Sequence, residues 1–249
     1  MIALSNISKV YNDGMNNRVH AVRNTNFHIN KGEFLVLIGA NGSGKSTLLN
    51  IVAGSIKTSS GKVFYNEHDV TAWEAHRRAK FIARLFQNPL HGTAPHLSVI
   101  DNFRLASLRS KSKTFKIGTG TRFRNKVKEN IEFLKLNLEN KLDQKMGSLS
   151  GGQRQALTLA MAVMDEAEII LLDEPTAALD PRASGLLLEK ADSIIRTFSL
   201  SAIMVTHKLK DAIRYGNRLI YMAEGEVKKD LNQNQKGQLS LTQVQEWFA

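Results

Sequence analysis

The residues best suited to chemistry lie between Gly39 and Ser46, where GANGSGKS matches G-x-x-x-x-G-K-S. Glycines let backbone N–H groups converge on phosphate oxygens with no Cβ in the way. The Lys45 ammonium has the reach for the outer phosphates of a nucleoside triphosphate, and the Ser46 hydroxyl is a hard oxygen suited to Mg²⁺. Asp173 and Glu174 form a second centre, because they end the apolar run Ile169–Leu172. Acids there are costly unless they serve a cation or a reaction. Asp173 suits Mg²⁺ through water, and Glu174 suits polarising an attacking water. Ser150-Gly151-Gly152-Gln153 is a third centre. Ser150 caps the helix expected from Gln153 to Met164, and the glycines leave helix-terminal N–H groups open to a second anion.

These groups need elements to hold them. The apolar run Phe34–Ile38 reads as a buried strand, followed by the glycine loop and a helix from Lys45. Ile82–Phe86 reads as another buried strand, ending in Gln87, and Ala202–Val205 as a third, leading to Thr206 and His207. Ligands gather at such strand ends in open α/β sheets. Before the glycine loop, Ile2–Ile7 alternates like a half-buried strand, Tyr11 is expected on a loop, Asp13-Gly14 marks a turn, and strands are expected at Val19–Val22 and Asn24–Ile29. This opening reads as an antiparallel sheet. Lys62–Tyr65 reads as a strand and Trp73–Lys80 as a helix. Helices are expected at Val99–Ser107 and Arg122–Leu136, flanking a basic, Ser/Thr/Gly-rich stretch from Ser107 to Lys128. That stretch is either a solvated connection or a contact for anionic lipid or an acidic partner. Asp180 is expected to cap a helix over Arg182–Thr197. Arg218–Met222 and Glu226–Leu231 flank Glu224-Gly225 as a hairpin, and Leu239–Phe248 reads as a closing helix.

The chain has 249 residues, enough for one large domain or two small ones. Its 34 Lys and Arg against 23 Asp and Glu give a formal charge of +11, which favours polyanionic partners: nucleotides, nucleic acid or anionic lipid. With no cysteine, disulfides and thiolate metal sites are excluded, in keeping with a reducing cytoplasm. No apolar run reaches membrane-spanning length, and MIALSNISKVYN lacks the basic and apolar regions of a secretory signal.

Taken in order, these motifs resemble those of the ATP-binding cassette (ABC) ATPases along nearly the whole chain. GANGSGKS is similar to the Walker A motif, and ILLDE to Walker B. Gln87 sits at the Q-loop position, and LSGGQ, Leu149–Gln153, matches the family signature. AALD, Ala177–Asp180, looks like the D-loop, with Ala178 where serine is frequent. His207 matches the switch histidine and Tyr11 the adenine-stacking aromatic. The resemblance implies a P-loop NTPase core with a mainly parallel sheet, an N-terminal antiparallel β subdomain and a helical family-specific subdomain. The whole chain, 1–249, is then a single nucleotide-binding domain, with 1–94 and 163–249 as core and 95–162 as helical insertion.

The resemblance also implies ATP and Mg²⁺. Nucleotide contacts fall to Tyr11, Gly39, Asn41, Gly42, Ser43, Gly44, Lys45, Ser46, Thr47, Ser150, Gly151, Gly152, Gln153 and Asp180. Metal contacts fall to Ser46, Gln87 and Asp173, and catalysis to Glu174, His207 and Gln87. Two copies are expected to pair head to tail. One provides Lys45, Ser46, Gln87, Asp173, Glu174 and His207, and the other Ser150 and Gly152.

The implied role is the ATP-hydrolysing subunit of a transporter with a separate membrane permease, peripheral on the cytoplasmic face of a bacterial inner membrane. QNPLHGTAP and YGNRLIYM look like an importer subgroup whose periplasmic or extracellular binding proteins take amino acids, proposed to be aromatic. The alternatives are an ATPase of a lipid or lipoprotein exporter, or of a cell-division complex. A nucleic-acid-handling ATPase is disfavoured, because neither a coiled-coil insertion nor a tandem cassette is present, and no nucleic-acid partner is expected.

Overall fold

The computed structural model describes residues 1–12, 14, 17–109, 119–164 and 167–248. In chain order the elements are β1 (Ile2–Tyr11), β2 (Val19–Ile29), β3 (Phe34–Gly39), α1 (Lys45–Ala53), β4 (Ser60–Tyr65), β5 (His68–Asp69), α2 (Ala75–Arg78), β6 (Ile82–Leu85) and α3 (Val99–Ala106). They continue with α4 (Thr121–Glu132), α5 (Gly151–Met164), β7 (Ile169–Asp173), α6 (Pro181–Thr197), β8 (Ser201–Val205), α7 (Leu209–Arg214), β9 (Arg218–Ala223), β10 (Glu226–Leu231), α8 (Gln233–Gly237) and α9 (Leu241–Gln245). They form two compact units, Met1–Arg78 with Ser199–Ala249, and Ala79–Phe198.

The first unit holds an antiparallel sheet in the order β2-β1-β4-β5, as the alternating N-terminal pattern predicts. Beside it, β3 pairs in parallel with β8 and β9, and β10 lies antiparallel to β9. Every residue of β3 is buried, which is why Phe34–Ile38 is a continuous apolar run rather than an alternating one. α1 buries Leu48, Leu49, Ile51 and Val52. The hairpin turns on Glu224 (φ 54°) and Gly225 (φ 81°), both left-handed.

Four local expectations are corrected in this unit. Val19–Ile29 is one strand, not two, because Asn24 takes a left-handed conformation (φ 38°) that β2 absorbs as an irregularity of register. Tyr11 ends β1 rather than sitting on a loop, since pairing with β2 continues to Tyr11 opposite Val19. The helix expected at Trp73–Lys80 shrinks to Ala75–Arg78. The Trp73 carbonyl accepts from the Arg78 side chain, 3.1 Å from Nε. The closing helix is Leu241–Gln245 followed by a 3-10 turn, Glu246–Phe248. Asp13, part of the expected turn, lies outside the described residues.

In the second unit β6 and β7 run parallel, with Ile82 opposite Ile169 and Leu85 opposite Leu172. Between them in sequence come α3, α4 and α5, so the segment 95–162 falls inside this unit. Phe103, Val127, Ile131, Leu134 and Leu157 are fully buried and make its helical core. Helix ends differ from the expectation: α3 stops at Ala106, α4 runs Thr121–Glu132, α5 starts at Gly151, and α6 starts at Pro181, where proline suits a first helical turn. Most of the basic stretch between α3 and α4, residues 110–118, lies outside the described residues. Among the described residues no helix is long and apolar enough to cross a membrane.

Candidate active site

In the first unit the glycine loop follows β3. Gly39 ends the strand, and a Cβ there would collide with the Met222 carbonyl and the Ser43 hydroxyl. Gly44 caps α1 in a left-handed conformation (φ 98°), and a Cβ there would lie on the Ala21 carbonyl. Only glycine fits both the backbone angle and the space. The Lys45 side chain is buried. Its ammonium donates to the carbonyls of Gly39 and Ala40, each at 2.8 Å, and to the Ser43 hydroxyl at 3.3 Å. The loop thus folds around the Lys45 cation. Asn41, Gly42 and Ser46 are exposed, and Thr47, the third residue of the helix, is half-buried.

Strand register sends the segment leading to His207 toward the same edge: Leu37 of β3 lies opposite Val205 of parallel β8, and His207 follows two residues past that pair, while Gly39 is still paired with Met222 of β9. His207 is exposed. Tyr11 is half-buried, with the Lys9 ammonium 5.1 Å from its ring centroid. Buried Arg78 anchors the far end of α1. Its guanidinium donates to the carbonyls of Ile51 (2.7 Å) and Val52 (2.9 Å) at the end of α1, and to those of Val70 (2.7 Å) and Thr71 (3.2 Å). Burial lowers its pKa to about 10, which leaves it cationic at neutral pH.

The second unit repeats this logic. Leu85 lies opposite Leu172, so Gln87 and Glu174 both emerge two residues past the paired strand ends. The Gln87 amide donates to Glu174 Oε2 at 3.4 Å. Glu174 has φ 44°, a left-handed angle unusual for a glutamate and held between Asp173 and Pro175. Asp173 Oδ2 accepts from Arg84 Nη2 at 2.8 Å. Arg84, Phe86, Gln87, His91, Asp173 and Ala178 line a cavity of about 620 Å³.

The signature residues also lie in this unit. The Ser150 hydroxyl accepts from the Gln153 N–H at 3.3 Å, and Gln153 Oε1 accepts from the Ser150 N–H at 3.2 Å. This reciprocal cap starts α5 at Gly151, two residues before the expected Gln153. Gly152 packs so near α6 that a Cβ would sit 3.2 Å from that of Ala183. Arg154 is buried beneath, donating to the carbonyls of Met146 (3.3 Å), Gly147 (3.2 Å) and Leu149 (2.9 Å). The Gln155 amide donates to the Phe86 carbonyl at 2.7 Å, joining the signature helix to the strand that leads into Gln87. Asp180 spends one carboxylate oxygen on the Ala183 N–H, 2.9 Å away, as the cap of α6.

The sequence reading did not single out Arg84, Arg154 or Arg78. Arg84 did carry a signal, a cation inside the otherwise apolar strand IARLF. The partners that give these arginines a purpose lie far along the chain or on backbone carbonyls, which residue type does not reveal.

Residues 22–177 match the family model for the ABC transporter. The chain is 38% identical over 249 residues to a tyrosine transport ATP-binding protein of Clostridioides difficile (strain R20291), covering 100% of this chain and 98% of that one. Among solved structures it is similar to the ATP-binding cassette MJ0796 in a dimeric post-hydrolysis state with ADP and phosphate. That match has a TM-score of 0.80 and 29% identity, over 94% of this chain and 99% of the other. It is also similar to the ADP form of the cassette MJ1267, with a TM-score of 0.81 and 25% identity over 100% and 98% of the two chains. The P-loop NTPase cassette fold, α/β with an antiparallel N-terminal sheet and a mixed, mostly parallel one, is thereby established. With Lys45 seated in its glycine loop, the two acids at the end of β7 and the capped signature helix in place, the chain belongs to the ABC transporter family, as an ATP-binding subunit.

Proposed function

We propose that two copies of this chain hydrolyse ATP to drive import of a small solute, an amino acid such as tyrosine, through a separate permease. The carrying observation is that each unit brings its phosphate-handling residues to the ends of paired parallel strands: Gly39–Ser46 with His207, and Gln87 with Asp173 and Glu174. The solute class is supported by the relative named for tyrosine transport, and the pairing of copies by the dimeric form of MJ0796. The chain then works peripherally at the cytoplasmic face of a bacterial inner membrane, with a periplasmic or extracellular binding protein delivering solute to the permease.

In this mechanism triphosphate oxygens replace the Gly39 and Ala40 carbonyls around Lys45, and loop N–H groups of Asn41–Ser46 hold the β-phosphate. Tyr11 stacks on the base. The Ser46 hydroxyl, the Asp173 carboxylate and the Gln87 amide oxygen are hard donors that fit Mg²⁺. A cation held by so few protein oxygens completes its shell with phosphates and water. When bound, Mg²⁺ neutralises charge on the transferring phosphoryl group. Glu174 accepts a proton from the attacking water, and Gln87 and His207 orient water and phosphate. The second copy closes the site with its Ser150 and Gly152, whose helix terminus faces the outer phosphate.

The permease contact is proposed at a cavity of about 360 Å³ in the second unit, where Thr93, Asn102, Leu105, Arg109 and Met161 form part of the wall. The test is Glu174→Gln with ATP on size-exclusion chromatography. A stable dimer is expected, and an ATP-loaded monomer would refute the mechanism. Copurification with a permease, and a tyrosine requirement for stimulated hydrolysis, test the transport role.

A further inference from the structure

Arg84 is a cation on β6 between the buried residues Ala83 and Leu85. Its side chain is 13% exposed and that of Asp173 14%, and the two meet at 2.8 Å. A pair this shielded from water keeps its geometry better than a surface pair and is less screened by salt. The guanidinium also lies 4.5 Å from the Phe86 ring centroid. Stacking fixes the guanidinium plane. The Phe86 backbone is held in turn by Gln155, so the donor aimed at Asp173 rests on rigid strand and helix.

We propose that Arg84 is a positioning residue for Asp173: by holding one carboxylate oxygen, Oδ2, it fixes the orientation in which the carboxylate serves Mg²⁺. This rests on the reading that Asp173 serves the metal. Strand β7 ends at Asp173, and the next residue has a left-handed backbone. Arg84 constrains the carboxylate from the neighbouring strand. A partner that orients a metal-facing carboxylate typically contributes tenfold or more to metal affinity. Arg84 also lines both the cavity beside Asp173 and the one proposed to receive the permease. The side chain that fixes the metal-facing acid is therefore also part of the docking wall.

The test titrates Mg²⁺ into the full-length protein with a fluorescent ATP analogue, reading binding rather than turnover. Arg84→Met is expected to raise the half-saturating Mg²⁺ concentration by about tenfold while leaving binding in EDTA unchanged. Arg84→Lys, which keeps the charge but not the planar fork, is expected to fall between. An unchanged or lower Mg²⁺ requirement in Arg84→Met would overturn the proposal. Should Arg84→Met lack a cooperative thermal transition, Arg84→Gln carries the same expectation and the same refutation. Asp173→Ala separates the two layers. If it leaves the Mg²⁺ requirement unchanged, the metal role of Asp173 falls. If it raises the requirement and the Arg84 variants do not, only the positioning role falls.

Discussion

Three oxygens of its own loop surround the Lys45 ammonium. In the function proposed here, binding exchanges carbonyl contacts for phosphate contacts around a cation held in place. Lys45→Ala removes charge from the outer phosphates and leaves those carbonyls without their donor. Phosphate release should fall by about 10²-fold or more. Gly44→Ala acts through the backbone instead. The new methyl group meets the Ala21 carbonyl at a left-handed angle. The expected cost exceeds about 1 kcal/mol of stability, read as a lowered unfolding midpoint in urea, together with weakened nucleotide binding. Glu174 shows the opposite use of such an angle. Its left-handed backbone follows directly on β7, and the adjacent acids meet different partners, Asp173 with Arg84 and Glu174 with Gln87.

At the scale of elements, arginines buried against backbone carbonyls set how helices meet their neighbours. Arg78 ties the last turn of α1 to the Val70–Trp73 turn, and helix ends favour a cation there. Arg78→Ala strands several buried carbonyls, so a loss of about 3 kcal/mol is expected, measured by thermal or chemical unfolding. Arg154 does the same for Met146–Leu149, the approach to the signature helix. Its effect should appear in assembly. Arg154→Met is expected to weaken ATP-driven pairing of an Glu174→Gln background in analytical ultracentrifugation, while binding of nucleotide to the single chain stays as in the parent. Equal loss of both would mean that Arg154 serves general stability alone. Arg218 works at the β9–β10 hairpin. It grips Asp230 with two bonds, at 2.7 and 2.6 Å, and also reaches Glu33 at 3.1 Å, clamping the hairpin to the start of β3.

At the scale of the whole molecule, the +11 charge acts through nucleotide and membrane-bound partners in the function proposed here. Retention on duplex DNA at physiological ionic strength would instead favour the nucleic-acid alternative. The sequence alone determined the chemistry and the local frame of each motif. A strand, a glycine loop and a helix are neighbours along the chain, so spacing and residue type suffice to name GANGSGKS, LSGGQ and ILLDE. Boundaries were less legible, because the left-handed backbone of Asn24, the Ser150–Gln153 cap and the Arg78 bond to the Trp73 carbonyl set element bounds by local geometry and side-chain contacts that periodicity does not encode. Only the tertiary structure decided which strand ends meet. The strands leading to Gly39 and His207 run side by side, and Gln87 reaches Glu174, because parallel register aligns strands far apart in sequence. The pairing of Arg84 with Asp173, 89 residues away, has the same origin. A long-range contact depends on how buried faces pack, and no pattern of nearby residues specifies it.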